Sequence, residues 1–251
     1  MGKLTVTDFA LDVSAGIVKE IKKEGLSEYF LYTIEGTETI PTGWSKRLLS
    51  FDVDEVPVIN LYKYEEERYG RSVVRFFSFK NDEEHKLGDT PIPGGMLKVY
   101  RSAGGGGHLS YTGQSSFKYI PVDEDVELNL GPVGNVVVEP TLMSFLTRNY
   151  RFDPKGNISG WDEVRVFEIE IKNTRQIPVK IEIQRNFKTP YWDLEPSDDL
   201  DEGEFKKVDV DTVKFTLKLQ PRSSREFRYG LTTYHGEREE DWTKLHTEQL
   251  E

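Results

Sequence analysis

One short polar run carries the residue types needed for acid–base chemistry. Residues 81–86 read Asn-Asp-Glu-Glu-His-Lys and join an apolar segment to a stretch rich in proline and glycine. Histidine titrates near neutrality and a neighbouring carboxylate stabilises its charged form, so His85 with Asp82 or Glu83 could act as the acid–base pair of a hydrolase. Such a role requires His85 to face a concave pocket. A polar run of this length is also typical of a loop between strands, which is the interpretation we favour.

Aromatic residues in loop-like positions form a second candidate site. Trp44 follows Pro-Thr-Gly, and Tyr191 and Trp192 follow a proline. Exposed rings stack on sugars or anchor protein partners, so these three residues are candidate ligands for a glycan or a protein. Carbohydrate binding requires at least two of the rings to be more than half exposed. The alternative, which we favour, is that the rings fill the end of a sandwich or a domain junction.

Metal and cofactor chemistry has little support in the sequence. Asp199 and Asp201 lie in an acidic segment and are the candidate calcium ligands, but Gly203 stands where the calcium-hand pattern needs a third ligand. The chain has no cysteine, and no pair of its four histidines has zinc-like spacing. We therefore expect a solvated acidic loop, no metal and no cofactor.

Composition limits the classes of partner. The 251 residues carry a net charge of −11, which argues against binding nucleic acid by neutralising its phosphates. Most of this charge lies in residues 195–211 and 237–251. No stretch approaches the roughly 20 apolar residues of a membrane span. The start shows no signal peptide, which fits a cytoplasmic protein; a trimmed fragment of a periplasmic or cell-envelope protein would look the same.

The elements that must position these residues are strands. Apolar and polar residues alternate in residues 126–130, 179–183 and 213–219, as in strands with one buried face. In residues 163–172 the alternation changes phase, which predicts a β-bulge near Val166–Phe167. Residues 29–34 read as a strand. Residues 17–23 could form a helix capped by Ser14, but we favour a strand that pairs with residues 29–34. No helix longer than two turns is required.

Turn residues recur about every ten positions, and this spacing predicts an all-β protein of two packed β-domains. We place the boundary near Pro140–Thr141. Residues 1–140 form a β-rich domain with long loops, and residues 141–251 form an immunoglobulin-like β-sandwich with an acidic loop and tail. About seven strand candidates in the second part match the size of such a sandwich.

Several segments together resemble a known family. They are residues 25–51 (GLSEYFLYTIEGTETIPTGWSKRLLSF), 73–101 (VVRFFSFKNDEEHKLGDTPIPGGMLKVYR), 167–187 (FEIEIKNTRQIPVKIEIQRNF) and 126–131 (VELNLG). They resemble the bacterial family catalogued as domain of unknown function 4139, which also forms the C-terminal part of mucoidy-inhibitor-type proteins. The resemblance implies an all-β fold and often a cell-envelope setting. It implies no catalytic residue, cofactor or substrate.

The function that the sequence favours is a non-enzymatic binding or scaffolding module, with a protein or glycan as partner. Sheets supply rigid support and loops supply contacts, whereas no coherent catalytic set can be assembled from the residues. Carbohydrate binding and hydrolysis remain as the two alternatives. The sequence leaves the oligomeric state open.

Overall fold

A computed structural model describes residues 2–6, 21–26, 29–34, 37, 39–46, 52–88, 90–103, 108–201 and 203–247. Strands make up most of the described chain, and the strands form packed sheets. The prediction of an all-β fold is therefore confirmed. Within these residues, no helix has the length and apolar character needed to cross a membrane.

The strands and helices follow one another in this order: β1 (Gly2–Val6), β2 (Ile21–Leu26), β3 (Tyr29–Ile34), β4 (Val53–Glu65), α1 (Glu66–Tyr69), β5 (Val73–Lys80), a 3-10 turn (Glu83–His85), β6 (Gly95–Ala103), β7 (His108–Phe117), β8 (Asp125–Val133), β9 (Val136–Phe152), β10 (Ile158–Asn173), β11 (Val179–Asn186), β12 (Trp192–Pro196), β13 (Phe205–Lys207), β14 (Thr212–Leu219), β15 (Ser223–Gly236) and α2 (Glu237–Thr247). Strand β2 pairs with β3, as predicted. Residues 17–20 of that prediction lie outside the described residues.

The chain forms two compact units, each built from separated segments. The first unit contains Met1–Ile59, Phe79–Gly94 and Lys118–Val126, and the second contains Asn60–Ser78, Gly95–Phe117 and Glu127–Glu251. The boundary that the sequence predicted at Pro140–Thr141 lies inside β9. The division differs from 1–140 and 141–251 because strands far apart in sequence pair with each other. In the second unit, for example, Leu61 of β4 pairs with Lys180 of β11.

Two larger sheets organise the described strands. One has the order β13-β14-β11-β4-β5-β8, with β1 paired to β4, and the other has the order β12-β15-β10-β9. Strand β11 runs parallel to β4 and antiparallel to β14. The remaining pairs, β2–β3 and β6–β7, are two-stranded.

The core of the second unit lies between these two sheets. Val179, Ile181 and Ile183 are all buried in it, which confirms the predicted period of two in β11. At its centre the Phe215 ring of β14 contacts two rings of the opposite sheet, at 5.0 Å from Phe227 and 5.3 Å from Tyr229. Aromatic rings bury the largest apolar areas of any side chains, so this contact holds the two sheets face to face.

The β-bulge predicted near Val166–Phe167 is confirmed in position. Strand β10 pairs with β15 without interruption, but its register with β9 shifts between Val166 and Phe167. Ser144 lies opposite Val166 and Leu142 opposite Phe167, so the extra residue is Met143 of β9. The phase change in β10 therefore marks an irregularity of the neighbouring strand.

The acidic C-terminal segment is helical where the sequence predicted only a tail. Helix α2 has 11 residues, or about three turns. Its first turn contains Glu237, Glu239 and Glu240, which the positive end of the helix dipole stabilises. The charge pattern that indicated a solvated tail thus also suits a helix N-terminus.

Replacing a core residue between the sheets tests this packing. Ile181→Ala should lower the free energy of unfolding by about 2–5 kcal/mol, since it leaves a cavity in a fully buried site. The exposed Ile177, four positions earlier, provides the control. Ile177→Ala should change the free energy of unfolding by less than about 0.5 kcal/mol. Urea unfolding measures both. Equal effects of the two substitutions would contradict the position of the core.

Candidate interaction surface

Strand β9 lies at the edge of the four-stranded sheet. Among the described strands its only neighbour is β10. It runs for 17 residues, beginning with Val136 and Val138, which are buried in the core of the second unit. Beyond Pro140 its residues are exposed or half-buried. An edge strand presents unpaired backbone N–H and C=O groups that another strand can bind.

The exposed part of this hairpin carries large apolar side chains. Seven of them are 46–62% exposed, and we call them together the β9 surface: Leu142, Met143, Phe145, Leu146, Tyr150, Phe152 and Ile158. Leu142 and Phe145 lie opposite Phe167 and Arg165, on the face that continues the core. Leu146 lies opposite Val164, on the other face. A strand that is apolar on both faces is typical of positions covered on both sides.

Three register shifts interrupt the pairing of β9 with β10; at Ser159 the extra residue belongs to β10, and at the other two it belongs to β9. Met143 is the extra residue at the first of these two bulges of β9. At the second, two residues of β9, Asn149 and Tyr150, lie opposite one residue of β10, because Arg148 pairs with Asp162 and Arg151 with Gly160. Asn149 has φ +56°, a conformation that asparagine tolerates better than most residues. Between the two bulges of β9, residues 144–148 pair with β10 without interruption.

The turn at the end of the β9–β10 hairpin is closed by Asp153. Its carboxylate accepts hydrogen bonds from the backbone N–H groups of Lys155 and Asn157, both at 2.8 Å. The Asn157 side chain donates a third, at 3.0 Å, and these bonds hold the pKa of Asp153 below its usual value. The two long strands are thereby joined by an ordered turn, which fixes their register.

On one face of the hairpin, a buried carboxylate ties β10 to helix α2. Asp162 is 2% exposed and accepts hydrogen bonds from Arg238, at 2.7 and 3.1 Å, and from Asn149, at 2.6 Å. Burial alone would raise the pKa of Asp162, but these hydrogen bonds outweigh it and lower the pKa. Arg238 also binds Asp241, which in turn binds Arg151 of β9. The network connects β9, β10 and α2.

Two glycines permit the close approach of α2 to β10. Gly236 has φ +59°, and a side-chain carbon there would collide with the carbonyl oxygen of Ser159. A side-chain carbon at Gly160 would lie 2.9 Å from the backbone nitrogens of Glu237 and Arg238. Both positions therefore require glycine, and the helix begins directly against the strand.

The other face of the hairpin is ordered by ring contacts. Trp161 stacks on His235 of β15, with centroids 5.1 Å apart and planes 13° apart. The Arg165 guanidinium lies 5.5 Å from the centre of the Phe145 ring and forms an ion pair with Glu163. These contacts hold part of the β9 surface in place while leaving it exposed.

The sequence-predicted acid–base pair exists, but its carboxylate has a structural role. Nδ1 of His85 lies 2.6 Å from Oδ1 of Asp82, and the same oxygen accepts the backbone N–H of His85 at 3.0 Å. Asp82 therefore caps the 3-10 turn, and its hydrogen bond to His85 lowers its pKa. Glu83 is exposed and begins the turn.

The loop around His85 is packed by backbone and amide groups of the first unit. Asn81 is completely buried, and its amide donates to the carbonyl of Pro121 at 2.8 Å and accepts the N–H of Gly88 at 3.0 Å. A side-chain carbon at Gly88 would lie 2.7 Å from the Asp82 backbone. Together these contacts fold the loop tightly back on itself.

The three candidate aromatic residues have different environments. Trp44 is 74% exposed in the first unit. Trp192 is 7% exposed in the core of the second unit, where its indole N–H donates to the carbonyl of Val210 at 2.8 Å. Tyr191 is half-buried and meets the ring of Trp242 edge-on. One of the three rings therefore meets the exposure that carbohydrate binding requires.

The acidic loop is held by an arginine. Arg225 binds both carboxylate oxygens of Glu204, at 2.7 and 2.6 Å, and donates to the carbonyl of Asp199 at 2.9 Å. The backbone N–H of Asp201 donates to Glu204 at 3.1 Å. Within the described residues, Asp199 and Asp201 belong to no cluster of three or more metal-ligating side chains.

An open pocket of about 560 Å³ lies beside the end of α2. Asp193, at its wall, accepts hydrogen bonds from the Tyr234 hydroxyl at 2.7 Å and the Trp242 indole at 3.0 Å. Burial and this carboxylate raise the pKa of Tyr234. His246 stacks on Trp242 and its Nε2 lies 3.2 Å from Asp193. The Asp193 carboxylate is thus engaged in docking the helix.

Sequence reasoning missed the β9 surface as a candidate site. The signal was present in residues 141–152, TLMSFLTRNYRF, where large apolar residues occupy both odd and even positions. In a strand, that pattern places apolar side chains on both faces. The comparisons with known proteins add nothing to this site, because no family model, curated protein or solved structure matches the chain.

The buried ion pair of α2 makes a testable contribution to stability. Asp162→Ala leaves Arg238 without its partner and should lower the free energy of unfolding by about 3 kcal/mol at neutral pH. The wild-type advantage should shrink as the pH falls below about 4, because the folded-state pKa of Asp162 is lowered and its stabilisation is lost on protonation. Urea unfolding across pH measures both effects. An advantage that grows in acid would contradict the assignment.

The role of Asp82 as a cap is tested by two substitutions. Asp82→Asn retains an oxygen that accepts the His85 N–H and should leave the melting temperature close to that of the wild type. Asp82→Ala removes the acceptor and should lower the melting temperature. Thermal unfolding followed by circular dichroism compares them. Equal losses in the two variants would show that the carboxylate charge, rather than the cap, stabilises the loop.

Proposed function

We propose that this protein is a non-enzymatic binding or scaffolding module that captures an extended protein segment along β9. The observation that carries the proposal is the β9 surface, an edge strand with exposed apolar side chains on both faces. A captured segment would add a strand to the sheet and would use both the free backbone edge and the exposed side chains of β9. The backbone edge supplies hydrogen bonds, and the alternating side chains supply contacts that select the partner.

The size of the surface supports a binding role. Seven half-exposed large side chains present roughly 600 Å² of apolar area, at about 150–250 Å² for each fully exposed aromatic residue and less for the aliphatic ones. Patches of this size on soluble proteins are often functional. Natural edge strands are usually protected by charges, proline, β-bulges or a covering element. In β9, Pro140 and the two bulges lie outside residues 144–148, which keep regular pairing with β10 and contain one charged residue, Arg148.

The order of the hairpin also supports this role. The closed turn at Asp153 and the buried Asp162 network position β9 before any partner arrives. A preorganised surface loses little conformational entropy on binding, and more of the contact energy then appears as affinity.

The proposal extends to the family and the setting of the protein. Segments 25–51, 73–101 and 167–187 support a relationship to the domain of unknown function 4139 family, and with it a place in the bacterial cell envelope. The two facing sheets of the second unit support an immunoglobulin-like relationship for that unit.

Binding of extended peptides tests the proposed function. A random library of displayed 12-residue peptides is selected on the wild type at high dilution and then counter-selected on Leu146→Lys. We expect enriched peptides with alternating apolar residues, and a dissociation constant at least about tenfold higher for Leu146→Lys, as for other interface anchors. Fluorescence anisotropy measures it.

Leu109→Lys is the matched control, because Leu109 is an exposed leucine of another hairpin, β6–β7. This variant should bind the selected peptides as the wild type does. Peptides that bind all three proteins equally, or a selection with no enrichment over Leu146→Lys, would refute strand capture by β9.

A further inference from the structure

We infer that the segment captured by β9 is β9 of a second copy of this chain, in an antiparallel pair with its two-fold axis at Leu146. The inference rests on the proposed function and names its partner. In this arrangement Leu146 pairs with Leu146 of the other copy. Each remaining residue pairs with the residue of the other copy that lies equally far from Leu146 in the opposite direction.

The positions of the irregularities select a second copy as the partner. Met143 and Asn149, which mark the two bulges of β9 itself, are each three residues from Leu146. A bulge adds one residue to its strand, so regular pairing continues past it only where the partner strand also has an extra residue at the matching position. An antiparallel copy centred on Leu146 places Met143 opposite Asn149 at both ends of the regular segment 144–148. A shift by one residue loses this match.

The side chains opposite each other are compatible in this register. Leu142 lies opposite Tyr150, and Phe145 lies opposite Thr147. Arg148 faces Ser144, so the arginines of the two strands do not lie directly opposite each other. Like charges in that position would destabilise the pair, whereas apolar and hydroxyl-containing pairs stabilise it.

The available area is adequate for a dimer. A standard interface buries about 800 Å² on each partner. The β9 surface presents roughly 600 Å² of apolar area by the estimate above, and the backbone edge and neighbouring polar side chains add to it.

Single-cysteine variants test the register, and the chain has no native cysteine to interfere. In the proposed pair the two Leu146 Cα atoms lie about 4.5–5.5 Å apart, within the range that a disulfide bridges. The two Phe145 Cα atoms lie roughly 8 Å apart, beyond that range. Oxidised Leu146→Cys should therefore become a covalent dimer, while Phe145→Cys and the control Leu109→Cys should form little disulfide-linked dimer. Efficient cross-linking of Phe145→Cys with none of Leu146→Cys would overturn the inferred axis.

Sedimentation equilibrium tests the dimer itself. The wild type should self-associate across a concentration series. Leu146→Lys should raise the dimer dissociation constant by at least about tenfold, and Leu109→Lys should leave it unchanged. Circular dichroism confirms that each variant is folded. A folded wild type that is monomeric throughout would overturn the inference. If the wild type were monomeric but β9 still bound the selected peptides, the proposed function would stand and the dimer alone would be refuted. Absence of both dimerisation and peptide binding would refute the dimer and the proposed function together.

Discussion

The contact of Phe215 with Phe227 and Tyr229 is the interaction on which the second unit depends. It joins β14 of one sheet to β15 of the other, and the buried aliphatic residues of β10 and β11 belong to the same core. Because β10 is fixed by this core and by its uninterrupted pairing with β15, it provides a rigid base for β9. The edge strand can then extend past the core, from Pro140 to Phe152, without losing its conformation.

Charge acts on the structure at specific points. A buried carboxylate is costly unless hydrogen bonds compensate for it, and Asp162 receives them from Arg238 and Asn149. The same residues connect the helix to both strands of the hairpin. Arg225 has a similar effect on the acidic loop, which it binds through Glu204. The net charge of the chain therefore says little about the surface on which we propose that partners bind.

Much of the fold could be predicted from alternation because buried strands leave a period of two in the sequence. This holds for β11 and β14, and the phase change in β10 even located an irregularity. The division into units could not be predicted, since it depends on pairing between distant strands such as β4 and β11. Helix α2 was missed because it has few apolar residues and so shows no helical period. It is held instead by polar contacts, in which Arg238 binds Asp162 and the Trp242 indole binds Asp193. Trp192 was a candidate ligand-binding residue, but its burial depends on tertiary packing, which the sequence does not show. The β9 surface was missed because its apolar residues follow no single period.

The parallel pairing of β4 with β11 has a consequence for synthesis. Leu61 leaves the ribosome well before its partner Lys180, which follows about 120 residues later. During that interval β4, with its buried residues Leu61, Tyr62 and Tyr64, has no neighbour on that edge. Long-range pairings of this kind form slowly and expose apolar segments to aggregation. The nascent chain is therefore a natural client for chaperones that shield extended apolar segments.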